Sequence, residues 1–184
     1  PDQAVTPQYV VLARDGRYAL VSVAGSSDLY VLDLEDPHID LVELEGVPSD
    51  MVVDPTSDHT VLVYANRQSV ETLEHEYFEI SSFDLDEPAT RAIDGDAYTL
   101  LYEQGSGHDL NLFDPATGVN VEYRAENPIL DVSLTPSQQF AVATLSPDYQ
   151  IQSGASGFYD QYYGLGIFPM IPDGRAVSLV LEGQ

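Results

Sequence analysis

The side chains that could do chemistry are few and scattered along the chain. None of the four histidines lies in the His-Glu-x-x-His spacing that places two imidazoles on one helix face for zinc. Glu71, His75 and Glu79 stand four residues apart and would share a face only on a helix. We expect strand geometry to scatter them and leave His75 hydrated in an acidic loop.

Nucleophile motifs are also missing from the sequence. Residues 153–157, Ser-Gly-Ala-Ser-Gly, lack the Gly-x-Ser-x-Gly spacing of a hydrolase elbow and are expected to form a flexible loop. The absence of cysteine excludes disulfides, thiolate zinc sites and cysteine nucleophiles, and the absence of lysine excludes Schiff-base chemistry. The sequence therefore predicts no catalytic residue.

Two Asp-rich turns, residues 84–87 and 94–96, are the candidates for a metal site. Neither has the alternating ligands and distal Glu of an EF-hand loop, so we interpret the carboxylates as turn caps. Ca²⁺ at one of these turns is the one cofactor that the sequence suggests testing.

An aromatic stretch, Gly-Phe-Tyr-Asp-Gln-Tyr-Tyr-Gly-Leu-Gly at 157–166, is the most unusual local feature. Tyrosine combines a large contact area with a hydroxyl, which suits recognition surfaces. The alternative is that the rings cover the protein's own core. We predict that partner or ligand contacts are made by Phe158, Tyr159, Tyr162 and Tyr163, together with His75 and Tyr77 on a second segment.

The charge limits the classes of partner. The 184 residues carry 31 acidic and 6 basic side chains, all Arg, for a net charge of −25. Such a surface repels phosphate backbones and anionic lipid, which excludes nucleic-acid binding and disfavours membrane surfaces. It suits salty surroundings, and it also fits Ca²⁺ or a basic partner. A hydrophobic fraction of 43% is enough for one folded domain, and no apolar run is long enough to span a bilayer.

A repeat organises the chain. Strand-turn-strand patterns resembling RDGRYALVSVAG at 14–25 recur, with turns that start at 15, 57, 94, 137 and 173. Between them lie LYVLDLEDP, ISSFDLDEP and LNLFDPATG, in which Asp33, Asp84 and Asp114 are predicted to accept hydrogen bonds from the following turn. Four short antiparallel strands in roughly 40 residues match a β-propeller blade. We predict a single all-β domain with about four four-stranded blades, at 7–46, 47–88, 89–127 and 128–184.

Two details of this division stay open. Either ISSFDL is the third strand of blade 2 and ATRAID its fourth, or ATRAID opens blade 3 and QSVETLE supplies the missing strand. PDGRAVSLVLEG is either the last hairpin of blade 4 or the first of a fifth blade. The chain ends with VLEGQ where repeat 1 continues, so we expect it to be part of a larger propeller, with a small closed propeller as the alternative.

The repeated segments RDGRYALVSV, DLYVLDLEDP, FDPATG and IPDGRAVSLV resemble bacterial β-propeller repeats of the WD40-like and YVTN-like type. That resemblance implies a propeller, binding more often than catalysis, and a secreted, periplasmic or surface-anchored location outside the bacterial cytoplasm. The Trp-Asp and Gly-His signatures of eukaryotic WD40 repeats are absent.

The function predicted is a non-enzymatic binding or scaffold propeller that contacts a protein or ligand. One alternative is a structural subunit completed by another chain, and another is a lactonase-like hydrolase with a central metal near Asp54 and Asp131. Residues 67–76 and 147–161 each follow the second strand of a repeat and are predicted to be long loops on one common face. We expect binding at that face, because loops on a rigid scaffold concentrate binding residues.

Overall fold

The computed structural model describes residues 6–54, 56–147 and 163–180. These residues form sixteen strands in four antiparallel sheets of four strands, and they contain no helix, so none that could cross a membrane. Sheet 1 contains β1 (Pro7–Leu12), β2 (Tyr18–Val23), β3 (Asp28–Asp33) and β4 (His38–Glu43). Sheet 2 contains β5 (Asp50–Val53), β6 (His59–Val63), β7 (Ser69–Glu74) and β8 (Ile80–Asp84). Sheet 3 contains β9 (Arg91–Ile93), β10 (Thr99–Tyr102), β11 (Asp109–Phe113) and β12 (Asn120–Arg124). Sheet 4 contains β13 (Ile129–Leu134), β14 (Phe140–Leu145), β15 (Gly164–Pro169) and β16 (Val177–Val180).

Each sheet is a meander in which consecutive strands are hydrogen-bonded neighbours. The structure decides between the two divisions of blade 2: QSVETLE contains the third strand, β7, and ATRAID contains β9, the first strand of sheet 3. The prediction that residues 67–76 form a long loop is therefore wrong. Glu71 stands where an apolar residue would mark a buried strand, and the acidic residues around β7 hide its alternation.

Turn carboxylates behave largely as expected. Asp33 accepts hydrogen bonds from the amides of Glu35 and Asp36 at 2.9 and 3.0 Å, and Asp114 accepts one from Ala116 at 3.0 Å. Asp84 ends the outer strand β8, so it does not occupy the equivalent position. Glu74 does, accepting from the amides of Glu76 and Tyr77 at 2.7 and 2.8 Å.

The final hairpin belongs to sheet 4. Asp173 and Gly174 lie in the turn between its third and fourth strands, β15 and β16, whereas Asp15 and Gly16 lie between the first and second strands of sheet 1. The spacing from residue 137 to residue 173 therefore compares turns at different positions in the blade.

Three hydrophobic clusters lie between consecutive sheets. Leu20 and Leu29 of sheet 1 pack with Leu62 and Leu73 of sheet 2. Sheets 2 and 3 meet through residues that include Val61, Val70, Leu101 and Phe113. Sheets 3 and 4 meet through residues that include Leu100, Leu112, Ala141, Ala143 and Phe168. Within the described residues, no cluster joins sheet 4 to sheet 1, so the stack is open at both ends.

Candidate functional site

The first sheet has an apolar face that points away from sheet 2. Side chains alternate between the two faces of a strand, and Val11, Leu20, Val31 and Val42 pack towards sheet 2. The intervening positions lie on the opposite side, where two cross-strand rows are apolar and a third position pairs Asp28 with Glu43. We call this surface the first end face; its two apolar rows are Val10, Val21, Tyr30 and Leu41, and Leu12, Ala19, Leu32 and Ile39.

The large side chains at the margins of the first end face are exposed. Val10, Leu12, Ile39 and Leu41 have 58–60% of their surface accessible to solvent. A groove of about 330 Å³ runs beside this face and is lined by residues that include Leu32, Leu34 and Ile39. All eight positions of the two rows are apolar, although solvent contacts this side of the sheet.

The fourth sheet has a corresponding outer face. Ala141, Ala143 and Phe168 pack towards sheet 3, so their strand neighbours point away from it. Val177 and Leu179 are each 49% exposed, and Phe140 is 42% exposed. The register aligns these side chains in cross-strand rows. We call this surface the second end face; it contains Phe140, Val142, Thr144, Leu165, Ile167, Val177 and Leu179, with Ser133 on β13.

His75 is not the hydrated side chain that the sequence suggested. It is 6% exposed, and its Nε2 lies 2.8 Å from Oγ1 of Thr60. Burial lowers the pKa of this imidazole, which favours the neutral ring. The ring lines a polar cavity of about 290 Å³ together with Asp15, Arg17, Asp58 and other residues. Two of the carboxylates beside this cavity are engaged in turns: Asp15 accepts from the amide of Arg17 at 2.8 Å, and Glu74 caps the turn that follows β7.

The topology separates the two segments that the sequence placed on one face. Links after the first and third strands of a meander emerge on one side of the stack, and links after the second strand emerge on the other. His75 and Tyr77 follow the third strand β7, whereas residues 146–163 follow the second strand β14. The predicted common face is therefore wrong, because β7 occupies residues that were taken as a loop.

Of the other predicted contact residues, the structure describes Tyr77 and Tyr163. Tyr77 is 70% exposed and Tyr163 is 55% exposed, as a contact residue would be. Phe158, Tyr159 and Tyr162 lie outside the described residues. Their role in binding stays a prediction.

The carboxylates considered for a central metal are occupied by hydrogen bonds. Asp54 is 0% exposed, and its Oδ1 accepts from the amides of Thr56 and Ser57 at 2.8 and 2.7 Å. Asp131 lies 3.3 Å from the hydroxyl of Tyr102, which donates to it. Over the described part of the chain, no group of three His, Asp or Glu side chains is arranged to hold a metal ion.

The acidic turn at residues 94–96 has a perturbed carboxyl. Burial, followed by the charges of Asp54 and Asp96, raises the pKa of Asp94 to about 6. The Asp94 side chain therefore titrates closer to neutral pH than an ordinary aspartate.

Sequence reasoning missed a buried acid between sheets 1 and 2. Glu71 is 0% exposed, and the hydroxyl of Tyr64 donates a hydrogen bond to its Oε2. Burial raises the pKa of Glu71. The available signal was the alternation Val70-Glu71-Thr72-Leu73, in which Glu71 shares a face with the core residue Leu73.

No family model and no curated protein matches this sequence. Among solved structures, the chain is similar to hydrazine synthase from Kuenenia stuttgartiensis, with a TM-score of 0.69 and 15% identity, over 96% of this chain and 55% of that chain. It is also similar to dihydro-heme d1 dehydrogenase NirN in complex with DHE, with a TM-score of 0.68 and 13% identity, over 95% of this chain and 38% of that chain. The chain thus spans about half or less of the length of these proteins. At such identities the likeness is one of fold, and it confirms the predicted class: the chain has a β-propeller fold with about four blades.

Proposed function

We propose that this chain is a binding and scaffold part of a propeller, and that further blades cover its two end faces. The observation that carries the proposal is the first end face, in which eight aligned positions are all apolar. Each of the three internal contacts in the stack also joins two largely apolar faces, with a few buried polar side chains such as Glu71 among them. The end faces therefore have the composition of a contact between blades and the exposure of a free surface.

The energetics favour covering these faces. Complete burial of a Val, Leu or Ile side chain contributes about 1.5–3 kcal/mol relative to full exposure. Four such side chains at the margin of the first end face retain more than half of their accessible surface. Contiguous apolar patches on soluble monomers are generally small, and larger ones mark interaction sites.

Nile red tests whether the first end face is an accessible apolar surface. This dye is uncharged, so the net charge of −25 does not repel it. The parent protein for the assay contains Val177→Asp, which disables the second end face and leaves the first end face free. We expect this parent to increase the fluorescence of the dye, and we expect adding Leu12→Asp and Ile39→Asp to remove most of that increase.

Val119→Asp is the matched control, because Val119 is 53% exposed in the turn between β11 and β12, away from both end faces. Adding it to the same parent should leave the fluorescence unchanged. Dye binding that is absent from the parent, or that survives Leu12→Asp with Ile39→Asp, would contradict the proposal.

The more specific parts of the function rest on sequence features. The WD40-like or YVTN-like repeats support a bacterial binding propeller located outside the cytoplasm. The tyrosine-rich segment supports a protein or ligand contact at the side of the stack from which the link after β14 emerges. Replacing Tyr159, Tyr162 and Tyr163 with Ser should abolish capture of that partner, whereas Tyr77→Ser, on the opposite side, should preserve it. Equal partner affinity in the triple variant and the unsubstituted protein would reject the anchor role.

A further inference from the structure

The two end faces are complementary in position as well as in composition. In every internal contact, the face of one sheet that points forward along the chain meets the backward-pointing face of the next sheet. The second end face is a forward-pointing face without a partner among the described residues, and the first end face is the backward-pointing counterpart. One copy of the chain therefore carries one unpaired surface of each kind.

These two surfaces do not meet within one copy. No hydrophobic cluster of the described residues includes both sheet 1 and sheet 4. Val10 and Leu12 on one end face, and Val177 and Leu179 on the other, are about half exposed or more. The four blades of the described residues thus form an open arc.

We propose that a second copy of this chain closes the arc, with the second end face of each copy packed on the first end face of the other. The proposal rests on the proposed function, since it identifies the blades that cover the end faces. Propellers typically contain about four to eight blades. The described residues form four blades that stay open, so a ring made of identical copies of them needs at least eight blades, and two copies are the arrangement within that range.

This pairing has a definite symmetry. The two copies are related by a two-fold axis along the centre of the ring, and the axis generates two equivalent contacts. In each contact, the Leu12 and Ile39 surface of one copy packs on the Val177 and Leu179 surface of the other. No apolar end face remains exposed, which removes the surface that would otherwise add further copies.

Charge sets the conditions under which the ring forms. Each copy carries a net charge of −25, so association brings together two strongly negative molecules. The Debye length falls from about 10 Å at 0.1 M salt to about 3 Å at 1 M, which weakens this repulsion. We therefore expect the dimer fraction to rise with the NaCl concentration.

Sedimentation velocity and native mass spectrometry test the stoichiometry. At 1 M NaCl, we expect sedimentation to give about twice the 20.1 kDa mass of one copy. Leu12→Asp with Ile39→Asp should give a monomer, and Val177→Asp with Leu179→Asp should also give a monomer, because each variant damages both contacts of the ring. Val119→Asp should remain dimeric. Native mass spectrometry after exchange into a volatile salt should count two copies.

Mixing the two monomeric variants tests which faces pair. In the mixed dimer, one contact contains both damaged faces and the other contains both intact faces. At high protein concentration, we expect a heterodimer in the mixture and none in either variant alone. Pairing of like faces predicts homodimers of single variants through their intact faces instead.

Three results would overturn the proposal: an unsubstituted protein that is monomeric at 1 M NaCl, single-face variants that stay dimeric, or a mixture that does not recover dimers. A folded monomer that still binds Nile red through the first end face would reject the second copy but leave the proposed function standing. Circular dichroism of each variant establishes that loss of the dimer is not loss of folding.

Discussion

A matched pair of substitutions on sheet 1 tests whether its two faces differ as described. Leu20 is 0% exposed and packs against sheet 2, whereas Leu12 is 58% exposed on the first end face. Truncation to alanine removes the same atoms at both positions. Any difference in cost therefore reports how each face is covered.

Leu20→Ala should lower the free energy of unfolding by about 3 kcal/mol, because truncation of a fully buried leucine costs about 2–5 kcal/mol including the cavity it leaves. Leu12→Ala should cost no more than about 0.5 kcal/mol in the monomer, as is usual for exposed positions. The expected difference of about 2.5 kcal/mol corresponds to a shift of about 0.8–2.5 M in the urea midpoint for a slope of about 1–3 kcal/mol/M.

Both substitutions are made in a protein that contains Val177→Asp with Leu179→Asp, the pair expected to give a monomer. Urea unfolding is followed by circular dichroism and by tyrosine fluorescence, since the sequence has 12 tyrosines and no tryptophan. Equal costs at the two positions, with unchanged slopes and a verified monomer, would refute the assignment of the two faces. A cost below about 1 kcal/mol for Leu20→Ala would refute the packing of sheet 1 on sheet 2.

Three further predictions concern pH, a tight turn and salt. Between the ordinary pKa of 3.8 and about 6, the folded state retains a proton on Asp94 that the unfolded state has released, so stability falls as the pH rises through this window. Asp94→Asn should therefore raise the thermal midpoint at pH 7 but not at pH 3.5, and equal effects at both pH values would contradict this cause. Gly118 has φ of +72°, and a Cβ there would clash with the ring of Phe83, whereas Gly16 has φ of +73° and open space around it. Gly118→Ala should cost about 1–3 kcal/mol more than Gly16→Ala in urea unfolding, because overpacking adds to the backbone strain that both share, and equal costs would exclude the clash. Finally, the melting temperature of the monomeric protein should rise between 0.1 M and 1 M NaCl as self-repulsion is screened, and an unchanged or lower value would reject this source of instability.

The repeat and its turns could be predicted because they are local. Alternating apolar residues and turn residues such as Asp15-Gly16 act within a few positions of one another, and so does the capping of a turn by Asp33 or Asp114. The second blade was harder to assign because β7 contains a buried acid, Glu71, that interrupts its apolar pattern. The partner that makes this burial tolerable is the hydroxyl of Tyr64 on the link after β6, a contact that the pattern of β7 alone does not contain.

The candidate site depended on non-local information at two points. His75 is polar and stands in an acidic segment, so composition favoured exposure, but β7 and Thr60 of the adjacent strand β6 hold it in a buried position. The sidedness of the links followed correctly from strand alternation, yet one misplaced strand reversed the side assigned to His75 and Tyr77. An error of one strand is enough to reverse the side assigned to a link, because successive links of a meander alternate between the two sides.

The end faces show what the sequence and the structure contribute together. Strands β1 and β2, with the sequences PQYVVL and YALVSV, are apolar at positions on both faces, which is the pattern of strands covered on two sides. The outer strands β8 and β12 contain polar residues at many positions, including Ser81, Ser82 and Glu122, as expected at the rim. The sequence of sheet 1 therefore favours cover on both sides, while among the described residues that cover comes from sheet 2 on one side only. The unmet requirement lies on the first end face, and a surface able to meet it must be broad, flat and apolar over four strands, as another blade is.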